Sequence, residues 1–148
     1  MAEKKISELT AKGAALAQTD LLVISEDAGG GTYTTKSITG AYIRDPRVQS
    51  VTSSATVTAT SVNDLVKITA QAAGLTLANP TGTFAEGQAL IYRIKDNGTA
   101  RSITFGAKFR ALGVTLPTTT TISKTTYVGC IYNSTDDKFD VIASLTEA

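Results

Sequence analysis

Threonine occurs 25 times among the 148 residues, and with 11 isoleucines and nine valines it makes about 30% of the chain β-branched. Two heavy atoms on Cβ cost rotamer freedom in a helix and pack well on a pleated surface, so this composition commits the chain to strands. Leucine, isoleucine, valine and phenylalanine together supply 35 residues, enough apolar material for a folded core. A chain of this length is expected to form one main core, and it needs no disulfide or metal staple to do so.

The first 45 residues read differently from the rest. Ile6, Leu9 and Leu16 fall near helical spacing until Gly13 interrupts them, which predicts a turn or two of helix and then coil. Asp20 to Ser25 and Thr32 to Ser37 are two runs of strand length joined by the glycine-rich stretch Gly29 to Gly31, which predicts a small hairpin. A helical turn capped by Ser37 or Thr39 is expected over Ser37 to Ile43, and Asp45-Pro46 marks a boundary. A lone hairpin is marginal in water. The segment 1–45 therefore reads as an anchoring or docking piece that must lean on the second domain, a sister subunit or a larger assembly, with Ile6, Leu9, Leu21 and Leu22 the side chains that it cannot bury alone.

From Val48 onward short strands follow one another with turn signals between them, the pattern of an antiparallel β-sandwich or jelly-roll-like domain over residues 46–148. Leu90, Tyr92 and Ile94 share one face of the run Gln88 to Lys95 and are assigned to the core, opposite Ile91, Arg93 and Lys95. Asn97-Gly98 is a strong hairpin signal leading into Arg101 to Gly106, with Ile103 and Phe105 inward. Thr126 to Asn133 and Lys138 to Ser144 are expected to form a closing hairpin in which Val128, Cys130 and Tyr132 face Phe139 and Val141.

The chain has no histidine, which removes the commonest general base and metal ligand, and its one cysteine, Cys130, excludes an internal disulfide or a cysteine-cluster site. Without a base to form a thiolate, Cys130 reads as a buried strand residue. The glycines at 29–31 join strands rather than opening onto a helix, so they do not form a phosphate cradle. Asp136, Asp137 and Asp140 read as turn residues rather than a calcium site. Arg93, Lys95, Arg101, Lys108 and Arg110 are candidates for binding an anion or a sugar acid, and Tyr92, Tyr127 and Tyr132 for stacking on carbohydrate. The plainer readings are a solvated face for the first set and core or interface for the second. No nucleophile, base and oxyanion site can be assembled, so no enzyme activity, catalytic residue, cofactor or metal is expected. A formal charge of +1 gives no electrostatic footprint for nucleic acid, and no apolar run is long enough for a membrane helix. With no secretory signal pattern near the start, synthesis in a cytoplasm is expected.

Two sets of strings carry a resemblance. KKISELT, TDLLVISED and TTKSITGAYI, between Lys4 and Ile43, resemble the N-terminal module recurrent in virion proteins of tailed bacteriophages. DLVKITAQAAGLTLANPTG, IYRIKDNGTARSITFG and TTYVGCIYN followed by KFDVIAS resemble the β-domain of phage fibre and head-decoration proteins. The resemblance implies a homotrimeric virion structural protein. Heptads and internal repeats of a long shaft are missing, which favours a short head-fibre or capsid-decoration protein docked to the major capsid protein or another virion protein. The competing expectation is a short tail-fibre or adaptor module that binds host surface glycan through the loops after Asn79, Asp96 and Ser134.

Overall fold

The computed structural model describes residues 21–27, 33–39 and 45–148. The chain divides into two compact units, Met1–Asp45 and Pro46–Ala148. In the first, β1 (Leu21–Asp27) pairs antiparallel with β2 (Tyr33–Thr39), placing Leu21 and Leu22 opposite Thr39 and Ile38. Ser37 and Thr39 lie within β2, so the strand continues where a helical turn was expected to begin. Ile6, Leu9, the predicted helical turns around them and the glycines at 29–31 lie outside the described residues.

The second unit is built from nine strands. These are β3 (Val48–Val51), β4 (Thr56–Val57), β5 (Leu65–Gln71), β6 (Leu75–Leu77), β7 (Ala89–Asp96), β8 (Ile103–Phe105), β9 (Phe109–Ala111), β10 (Thr125–Asn133) and β11 (Lys138–Thr146). A six-stranded sheet runs β3-β5-β7-β10-β11-β9 and a three-stranded sheet runs β4-β6-β8. The described chain is therefore mainly β, and its sheets are mixed.

That mixture corrects the antiparallel expectation. From β3 to β8 the chain visits the two sheets alternately, so that β3, β5 and β7 pair in parallel in one sheet and β4, β6 and β8 pair in parallel in the other. A parallel pair needs a crossover connection, usually a helix. Here each crossover is a short strand of the opposite sheet, and no helix is required. Only β10 restores antiparallel pairing, with β7 on one side and β11 on the other, while β9 joins β11 in parallel.

The Asn97-Gly98 turn shows how the local signal misleads. Gly98 has φ +91°, as a tight turn requires, yet β7 and β8 lie in different sheets. The buried Asp96 decides the course of the chain: its Oδ1 accepts hydrogen bonds from the Gly98 N–H and the Ser123 N–H, both at 2.9 Å, which ties the turn to a distant loop. Burial works against the Asp96 charge, but bonds from Ser123, Thr120 and Gly98 outweigh it and hold the carboxyl below its ordinary range. A lowered native pKa contributes stability above the unfolded carboxylate value of about 3.9 and loses it as pH falls through the native value. Asp96→Asn should therefore cost about 1–3 kcal/mol at pH 7, and the gap from the parent should narrow below about pH 4 in urea titrations. A gap independent of pH would show that the charge of Asp96 plays no part.

Both sheets face one core. Val57, Leu75, Leu77 and Ile103 come from the three-stranded sheet, and Val66, Ile68, Leu90, Tyr92, Ile94, Val128, Cys130, Phe139 and Val141 from the six-stranded sheet, all buried. Phe109 from β9 and Ala59 complete the cluster. The expected closing hairpin forms with Tyr132 opposite Phe139 and Cys130 opposite Val141. Gln71, fully buried, resolves its polarity through three bonds: its Nε2 donates to the Ser54 and Ala73 carbonyls, and its Oε1 accepts from the Ser54 N–H. Gly106 sits so close to Asn79 that a Cβ there would lie 2.7 Å from the Asn79 backbone nitrogen, so the approach of the turn at Asn79-Pro80 to β8 demands glycine.

Candidate functional site

Period-two alternation places Leu90, Tyr92 and Ile94 in the core and so turns Ile91, Arg93 and Lys95 to the outer face of the six-stranded sheet. Register then assembles that face in rows. Val48, Leu65, Ile91, Gly129 and Ala143 lie side by side on β3, β5, β7, β10 and β11. The next row along the strands is Ser50, Lys67, Arg93, Tyr127 and Leu145, and beyond it Lys95 pairs with Thr125. On the other side of the apolar row stands Ile131, opposite Ala89 and Asp140.

The apolar row is open to solvent. Val48 is 48% exposed, Ile91 42% and Ile131 38%, and Ile142, at the irregularity in the β10–β11 register, is 50% exposed. Gly129 and Ala143 leave the β10–β11 end of the row without bulk, so another surface can approach the sheet closely there. Contiguous exposed apolar residues on one sheet face mark an interaction surface, whereas apolar residues scattered singly do not.

The charged groups sort into satisfied and unsatisfied sets. Arg110 on β9 grips Asp140 through Nε at 2.7 Å and a second guanidinium nitrogen at 3.1 Å, and it reaches Asp136 at 2.8 Å. The Arg110 bond holds the Asp140 carboxyl below its ordinary range. Lys108 donates to Asp137 at 2.6 Å and the Tyr132 hydroxyl donates to the same carboxylate at 3.0 Å. Asp136, Asp137 and Asp140 thus fasten β9 to the closing hairpin, and Lys108 and Arg110 leave the candidate anion-binding set. Arg101 hydrogen-bonds the Asn97 side chain near the β7–β8 turn. Arg93 and Lys95 lie together on the outer face beside Tyr127, while Tyr92 is buried and Tyr132 packs against the core.

Cys130 is buried, and burial pushes its thiol up to about 12, so it stays protonated at neutral pH and lacks the thiolate that a nucleophile needs. Of the four predicted docking residues, Leu21 and Leu22 lie on β1 and Ile6 and Leu9 outside the described residues. Sequence reasoning missed Val48, Ile131 and Ile142 as surface residues. The available signal was Thr125–Asn133, whose apolar residues fall on both faces, as in a strand covered from two sides. No protein family, curated protein or solved structure matches the chain.

Proposed function

We propose that this chain is a non-enzymatic structural protein of a tailed-bacteriophage virion, a homotrimeric head-fibre or capsid-decoration protein made in the host cytoplasm. In this reading residues 1–45 fasten it to the major capsid protein or another virion protein, and residues 46–148 form a β-sandwich in which the six- and three-stranded sheets enclose the shared core. The observation that carries the proposal is the set of exposed apolar side chains on one sheet face, Val48 and Ile91 in one row with Ile131 and Ile142 beside it, which a sister copy would cover. The resemblance of the sequence strings to phage virion proteins supplies the setting.

Immunogold labelling of intact phage particles with antibody against residues 46–148 tests the location. Label on heads is the expected result. Label confined to tails would replace the decoration role with the tail-fibre alternative, and particles without label would overturn the virion reading.

A further inference from the structure

Beyond the apolar row, toward the C-terminal end of β7, the same sheet face carries an open groove of about 420 Å³ lined by Ile68, Thr69, Arg93, Lys95, Thr125 and Tyr127. Lys67 stands beside it, directly across from Arg93 in the β5–β7 register. Like charges facing each other on neighbouring strands are destabilising unless something compensates them. Elsewhere the fold provides that compensation: Arg47 has Asp64, Lys108 has Asp137, and Arg110 has Asp136 and Asp140. Among the described residues no carboxylate lies within ion-pair distance of Lys67, Arg93 or Lys95, and the Glu147 carboxylate beside the groove accepts the Thr125 N–H at 3.0 Å.

Tyr127 is the second element of the site. The residue is 43% exposed and walls both this groove and an adjoining hollow of about 380 Å³ lined by Leu145, Thr146 and Glu147. The arrangement therefore offers a guanidinium and two ammonium groups for a carboxylate, an aromatic face beside them, and the Thr69 and Thr125 hydroxyls as donors and acceptors. Those are the complements of a sugar that carries an acid group: the charge meets Arg93, the ring's C–H face lies on Tyr127, and its hydroxyls meet the threonines. Single-stranded nucleic acid needs successive aromatic platforms along a cationic track, and here one tyrosine stands alone in a chain of net charge +1.

We infer that the groove between Arg93, Lys95 and Tyr127 is a binding site for an acidic saccharide, a uronic or sialic acid unit of a larger glycan. The inference goes beyond the structural role and holds for a head or a tail location alike.

The full chain is applied to an array of uronic acid and sialic acid oligosaccharides printed beside their neutral counterparts and an oligothymidylate, and the strongest acidic hit is then titrated by calorimetry. Binding to at least one acidic glycan over its neutral counterpart is expected, weakening as salt rises. Arg93→Gln should weaken it about tenfold or more, since a charge-assisted hydrogen bond is lost. Tyr127→Leu should weaken it as well, while Lys138→Gln, on the turn side of β11, should leave it unchanged. Sedimentation of Arg93→Gln at the parent's mass separates loss of the site from loss of assembly. The inference is overturned if acidic and neutral glycans bind alike or not at all, if Arg93→Gln binds as the parent does, or if oligothymidylate binds more tightly than any glycan.

Discussion

Phe139→Ala should lower the stability of the chain by about 3–5 kcal/mol, the range for deleting a buried phenylalanine, enough to threaten folding when total stability is of order 5–15 kcal/mol. Phe139 is fully buried on β11 and stands where the aromatic side chains converge, edge-on to Phe84 with ring centroids 4.8 Å apart, 5.0 Å from Tyr132 and 5.9 Å from Phe109. Alanine there removes apolar burial, three ring contacts and the wedge that holds β9 against the closing hairpin. Such packed surroundings relax only partly, so a cavity remains. Ile142→Ala, three residues along the same strand but half-exposed, is the control and should change stability by under about 0.5 kcal/mol as a monomer. Urea unfolding at matched protein concentration reads both variants. A loss of less than about 1 kcal/mol for Phe139→Ala would mean that the two sheets do not share the tightly packed core described above.

The double variant Ile91→Asp, Ile131→Asp should leave the fold intact and abolish self-association. Both side chains point away from the core, so the monomer loses little beyond strand propensity, a matter of about 1 kcal/mol. At the centre of the proposed intersubunit surface the same changes would bury two carboxylates without partners, one of them opposite Asp140. Truncating an interface hot spot costs at least about 2 kcal/mol, and placing charges there costs more, so association should weaken by about a hundredfold or beyond. Circular dichroism should match the parent while the sedimenting mass falls to that of one chain. An unchanged mass would remove the outer face from the assembly surface.

How much of this was legible in the sequence depends on which physical property each feature expresses. Alternation along Ala89–Asp96 and Thr125–Asn133 records burial, and it correctly places Leu90, Tyr92, Ile94, Val128 and Cys130 inside. The closing hairpin was legible because its turn, Ser134 to Asp137, is local. Strand direction was not legible, because inside–outside alternation is the same in parallel and antiparallel sheets. The crossing from β7 to β8 was misread because Asn97-Gly98 specifies a turn and nothing about the sheet to which the next strand belongs; Asp96 and Ser123, far apart in sequence, settle that. Phe109–Ala111 is too short to show a period, so β9 and its hold on Asp140 through Arg110 went unseen. Of the outer face, Ile91, Arg93 and Lys95 were placed on one side of β7, but their grouping with Val48, Tyr127 and Ile131 exists only after β3, β5 and β10 fall into register.

Under the proposed function this molecule acts by joining copies of itself through an exposed sheet face. Sedimentation equilibrium of the purified full chain across micromolar concentrations tests it most directly. The expected result is a particle of three times the 15.4 kDa chain mass that dissociates only on dilution. A single species of 15.4 kDa at every concentration would contradict it.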